Sequence, residues 1–175
     1  YAEGALREQL NDIRRAGQFI IDAVKGVKHL KKNLVRFILT DDETVRKQYD
    51  KLRRLVIKVL REIESVREAG PSSDLVLSFD AVKLDVAEKT EQIGIELEEL
   101  IGQNRIEVRT ATSLMNDIAY CRDLCWDLLD AAALLFTDPN RGERGRGELE
   151  AMKEIALDDQ EIIGLAEGVR PENES

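Results

Sequence analysis

Val45-Arg46-Lys47-Gln48-Tyr49-Asp50-Lys51-Leu52-Arg53-Arg54-Leu55-Val56-Ile57-Lys58-Val59 opens the stretch that decides the fold, and it continues in the same style to Val66. Val45, Tyr49, Leu52, Val56, Val59, Ile63 and Val66 recur at alternating spacings of three and four, with Arg, Lys, Glu and Asp between them. A period near 3.5 keeps one narrow apolar stripe on one side of an α-helix, the pattern of a seam packed against another helix. Working outward, three further segments repeat it. Leu6, Leu10, Ile13, Gly17, Ile20, Val24 and Val27 carry it on the N-terminal side. Leu75, Phe79, Val82, Val86, Ile93, Leu97 and Leu100 carry it next, with a gap near Lys89. Leu114, Ile118, Cys121, Cys125, Leu128, Ala132 and Leu135 carry it last.

Four seams predict an all-α chain: four long helices in an antiparallel, up-down bundle, since short connections turn each helix back along its predecessor. Helix 1 is expected from about Ala2 to Leu39. Thr40-Asp41-Asp42-Glu43 suggests a capping box built on the Thr40 hydroxyl and the Glu43 carboxylate. Helix 2 is expected to end at Ala69, before Gly70-Pro71-Ser72-Ser73. Helix 3 should run to about Ile101 and helix 4 to about Phe136. Gly102-Gln103-Asn104 between them suits either a break or a partly continuous helix. The helical bundle thus occupies residues 1–137. Residues 138–175 are expected to hold a Gly- and Arg-rich loop, a short helix over Leu149–Leu165 and a disordered tail.

Composition narrows the function classes. The 175 residues are 35% charged, 43% hydrophobic and 5% aromatic, the balance of a helical domain with room for a real core. A net charge of −9 argues against nucleic acid as a partner, because phosphate contacts need a basic surface. No apolar run approaches the roughly 20 residues of a membrane span. The chain starts at Tyr1 without Met, which suggests a processed chain or a piece cut from a longer polypeptide. Cys121 and Cys125 share one helix, where side chains on adjacent turns meet at poor angles for a disulfide; they are expected to be buried, reduced and part of the seam.

Chemistry-bearing motifs are few. His29 is the one histidine. That removes paired Glu-x-x-His di-iron sites and two-histidine zinc sites, and no glycine-rich anion loop or nucleophile elbow is present; the chain is expected not to be an enzyme. A histidine-phosphotransfer module using His29 is one alternative, though Lys31 and Lys32 follow it without the glycine such modules carry. Lys25, Lys28, His29, Lys31, Lys32 and Arg36 make a basic cluster. It either complements the negative end of helix 1 or forms a docking patch for an acidic partner or lipid phosphates. Asp123, Asp127 and Asp130 fall on one helical stripe, with carboxylates one turn apart that suit a hard or borderline cation; the other reading is a solvated acidic face. Asp85, Glu88, Glu91 and Glu96 on helix 3 would complete such a site if they faced it. A short echo links Leu10-Asn11-Asp12-Ile13 with Met115-Asn116-Asp117-Ile118.

Two blocks carry a family resemblance: Ala23-Val24-Lys25-Gly26-Val27-Lys28-His29-Leu30-Lys31-Lys32-Asn33-Leu34, and Thr112-Ser113-Leu114-Met115-Asn116-Asp117-Ile118-Ala119-Tyr120, extended by Asp123, Asp127, Ala131 and Ala132. On them the chain resembles the PhoU-like domain at the cytosolic C-terminus of bacterial sodium-dependent phosphate cotransporters. The resemblance implies a non-enzymatic regulatory or scaffolding role in phosphate transport. It implies a position on the cytoplasmic side of the membrane, with the transmembrane transporter domain of the same polypeptide as partner. A homo-oligomer and a stand-alone PhoU-type regulator of phosphate signalling belong to the same set of expectations. Some PhoU-like proteins bind metal clusters through acidic motifs; here Asp123-x-x-x-Asp127 keeps that spacing, whereas Arg14, Gln18 and Asp22 stand where helix 1 would need two more acids. No cofactor is implied as a requirement, and a divalent or ferric metal is the one candidate.

Overall fold

A computed structural model describes residues 2–70 and 74–136. Four helices account for nearly all of them: α1 (Ala2–Ile38), α2 (Glu43–Ala69), α3 (Asp74–Gly102) and α4 (Val108–Phe136). The bundle is all-α, with no strand among the described residues. None of these helices is long and apolar enough to cross a membrane. The expected loop, short helix and tail of 138–175 lie outside the described residues.

Local chemistry fixes the helix ends. The cap of α2 is Asp42, not the predicted box on Thr40 and Glu43: Asp42 Oδ1 accepts from the backbone N–H of Thr44 at 2.9 Å and of Val45 at 3.2 Å. A carboxylate there satisfies two orphan donors and also suits the positive end of the helix dipole. Thr40 instead accepts from the Asp42 N–H at 3.3 Å, inside the turn. Gly70 ends α2 with φ of 78°, a backbone state that costs a residue with Cβ. The α3–α4 junction resolves as a break. Asn104 takes a left-handed φ of 53°, its N–H bonds Ile101 O at 3.0 Å, and the Arg105 N–H bonds Leu100 O at 2.9 Å. These two bonds around a left-handed residue make a Schellman terminus, for which Asn is the usual substitute for Gly. Buried Ile106 then anchors the link before α4.

α4 packs against all three other helices, most extensively against α1, whereas α1 and α3 share no close backbone approach. The expected seams of α2, α3 and α4 form the core. Tyr49, Leu52, Val59, Phe79, Val86, Leu97, Leu114, Cys121, Cys125 and Leu129 have almost no solvent access. Thr90 fills the gap left near Lys89: it is buried and its hydroxyl donates to Val86 O at 2.8 Å, which lets a polar side chain continue an apolar stripe. Leu135, by contrast, is exposed, and the Leu75 side chain lies outside the described set. Ion pairs tie α3 to its neighbours, with Lys58 on Asp85 at 2.8 Å, Lys51 on Glu96, and Lys83 on Asp130.

The α1 stripe departs from expectation. Leu6, Leu10, Ile13, Ile20, Val24 and Val27 are 44–62% exposed. The buried row is Ala16, Ala23, Leu30 and Phe37, seven residues apart, with Gly26 and Asn33 partly covered beside it. Small side chains explain the choice. Ala16, Ala23 and Gly26 let α1 come close to α4, and a Cβ added at Gly26 would sit 3.5 Å from Leu124 Cβ. Close backbone approach gains dispersion over a long contact, and it rotates the larger Leu, Ile and Val residues to solvent.

Candidate functional site

The two sequence blocks singled out above meet at the α1–α4 contact. Gly26 lies against Tyr120 and Leu124. Three residues on, the His29 ring stacks on Tyr120 with centroids 4.8 Å apart and planes 10° apart. One turn further, Asn33 Nδ2 donates to Asp117 Oδ2 at 3.0 Å. Rising numbers on α1 therefore meet falling numbers on α4, and each contact falls on the face set by three- and four-residue spacing.

Asp117 is the electrostatic centre of this contact. It is 1% exposed, and Tyr49 Oη of α2 donates to the same Oδ2 at 2.6 Å. One carboxylate oxygen thus links α1, α2 and α4. Burial pushes the Asp117 carboxyl above its usual range, and the donors from Tyr49 and Asn33 pull part of the way back. Burial, followed by the neighbouring carboxylate, raises the Tyr49 phenol far beyond its ordinary value, so Tyr49 stays a neutral donor. Phe37 of α1 stacks on the Tyr49 ring with centroids 5.1 Å apart. Sequence reading missed this junction. A tyrosine on an apolar seam and an Asp inside a matched block were its two available signals. The echo with Leu10–Ile13 does not extend to environment, since Asp12 sits near the surface and pairs with Arg15 at 3.7 Å.

The predicted basic cluster is exposed along α1. Lys25, Lys28, Lys32 and Arg36 share one side by their spacing, whereas Lys31 falls toward the exposed apolar stripe. Lys25 bonds Asp22 at 2.8 Å, and the Arg36 guanidinium lies 5.0 Å over the Phe37 ring. Two members of the predicted acidic stripe are taken by cations. Asp130 pairs with Lys83 of α3, and Asp123 takes the neighbouring Arg122 at 3.3 Å. Asp127 is half-buried; desolvation, then Asp22, Asp123 and Asp130, raises its carboxyl. Asp22 is held low by Lys25 and Gln18. On α3, Asp85 is engaged by Lys58 and Lys89, and Glu96 by Lys51 and Gln48. These two acids serve α2 and α3 rather than the Asp123–Asp130 stripe. Among the described residues no group of three His, Cys, Asp or Glu is arranged to hold a metal.

Cys121 and Cys125 are free and fully buried. Cys121 Sγ reaches Leu52 O at 3.7 Å. The hydrogen bond with Cys121 and then burial raise the Cys125 thiol far above its usual value, so the Cys125 sulfur is not set up as a nucleophile. A groove of about 490 Å³ between α2 and α3 is lined by Lys47, Gln48, Lys51, Arg54, Glu96 and Arg105, among others. The Gln48 side-chain carbonyl there is buried without a hydrogen-bond partner.

No family model, curated protein or solved structure matches this chain.

Proposed function

We propose that the chain is a non-catalytic regulatory and interaction domain of a sodium-dependent phosphate transporter, acting on the cytoplasmic side of the membrane. The carrying observation is that the two blocks of PhoU-like character, on α1 and α4, lie against each other. Gly26 rests on Leu124, His29 on Tyr120, and Asn33 on Asp117. Residues that share a resemblance and also share an interface belong to one structural unit. The same contacts, together with Lys51–Glu96, Lys58–Asp85 and Lys83–Asp130, support the finer reading of an antiparallel up-down bundle of PhoU type. Its polar junction is internal and its cations are exposed, an arrangement suited to contacts between proteins rather than to turnover of a substrate. In this reading the helix faces contact the transporter domain of the same polypeptide and bias transport.

The test is phosphate uptake by cells carrying the intact reading frame against cells from which this segment has been removed. Altered uptake, or uptake no longer adjusted to external phosphate, is the expected result. Unchanged uptake and unchanged adjustment overturn the proposal. The reading frame upstream of Tyr1 separates the two forms of the idea: several apolar stretches of about 20 residues give the tethered domain, and a nearby start codon gives the stand-alone regulator.

A further inference from the structure

The exposed side of α1 carries information that the bundle does not use. Leu6, Leu10, Ile13, Ile20, Val24 and Val27 keep a strict 3.5-residue repeat with Gly17 at its middle, yet every one of the six is exposed. A stripe with that period tracks a partner helix along its length, because supercoiling keeps both seams in register. A flat lipid surface imposes no such period, since nothing in it supercoils with the helix.

Charge selects the kind of helix. α1 carries eight basic and four acidic residues, a net of +4 on a chain of net −9. Arg7, Arg14, Lys28 and Lys32 stand along one flank of the stripe, all exposed. Glu8, Asp12 and Asp22 fall instead on the helical row of Gly26 and Asn33, away from the stripe. A second copy pairing antiparallel through this face, centred on Gly17, would set Arg7 beside the partner's Lys28, which is repulsive. An acidic helix meets both requirements.

We propose that the exposed face of α1 is a docking site for an acidic amphipathic helix of a partner protein, its apolar residues on the Leu6–Val27 stripe and its carboxylates beside Arg7, Arg14, Lys28 and Lys32. This goes beyond the transporter reading and holds whichever polypeptide the domain serves.

The experiment uses the full chain and two synthetic peptides of about four heptads, with Leu and Ile at the seam positions and either Glu or Lys at the flanks, followed by fluorescence anisotropy. The expected result is saturable binding of the Glu peptide, weakened at least tenfold by Ile13→Gln with Ile20→Gln and by Arg14→Glu with Lys28→Glu. Added salt should also weaken it, and the Lys peptide should not bind. The thermal midpoint of each variant controls for folding, and no change is expected because the altered side chains are exposed. Equal binding of both peptides, or binding of neither, overturns the proposal. A dimer in sedimentation that Ile20→Gln dissolves assigns the face to a second copy instead. Binding to anionic vesicles without binding of the Glu peptide assigns it to a membrane.

Discussion

Tyr49 and Asp117, on different helices and 68 residues apart, are joined by a 2.6 Å hydrogen bond in which the phenol donates to the carboxylate. Asn33 donates to the same oxygen. A buried carboxylate with two donors costs far less than one with none. Tyr49→Phe is therefore expected to destabilise the fold by about 1–3 kcal/mol, measured by urea denaturation, with Asn33 left as the single donor recorded on that oxygen.

The same pair makes stability depend on pH. The folded Asp117 carboxyl titrates above the usual 3.8, so between the two values the folded state holds a proton that the unfolded chain has released. In that window wild-type stability falls as pH rises. Asp117→Asn keeps an acceptor for Tyr49 and removes the titration. The stability of Asp117→Asn relative to wild type should thus grow with pH through the window and level off above the raised value. A difference that stays flat across acidic pH would show that Asp117 does not titrate abnormally.

Gly26 tests the α1–α4 approach. A Cβ there would lie 3.5 Å from Leu124 Cβ, an ordinary contact. Gly26→Ala should be neutral or stabilising by up to about 1 kcal/mol, since glycine is costly inside a helix. Gly26→Leu should destabilise by about 1–3 kcal/mol, because the larger side chain forces α1 away from α4. Thermal melts of the two variants check the difference in sign.

The helix cap gives a second contrast. Asp42→Ala is expected to cost about 1 kcal/mol, because the Thr44 and Val45 N–H groups lose their acceptor. Thr40→Ala should cost less, since its hydroxyl serves only the Asp42 N–H within the turn. Equal losses in chemical denaturation would restore the box on Thr40 and Glu43.

Val59 and Val24 occupy similar positions in two sequence stripes but opposite environments. Val59 has no solvent access and Val24 is 62% exposed. Val59→Asp should unfold the bundle, because a buried unpaired carboxylate costs several kcal/mol out of a typical 5–15. Val24→Asp should leave the circular dichroism melt nearly unchanged.

Much of the architecture was legible in the residue order. Helix number, the 3.5 period of α2, α3 and α4, the stop at Gly70 and the buried cysteines all follow from local spacing and backbone preference, which act within a few residues along the chain. The Asn104 break was visible only as an option, because its Schellman bonds depend on one residue taking a left-handed backbone. The cap on Asp42 rather than Thr40 turns on which of two oxygens reaches the helix N–H groups.

Three-dimensional packing determined what spacing leaves open. Periodicity states that a stripe is apolar, and it is silent about which neighbour, if any, covers it. On α1 the small residues Ala16, Ala23 and Gly26 offer α4 a closer approach than the larger stripe does, so the stronger sequence signal faces water. Asp117, Tyr49 and Asn33 come together for the same kind of reason. Their hydrogen bonds join residues 68 and 84 positions apart, and a distance of that kind exists only once three helices have packed.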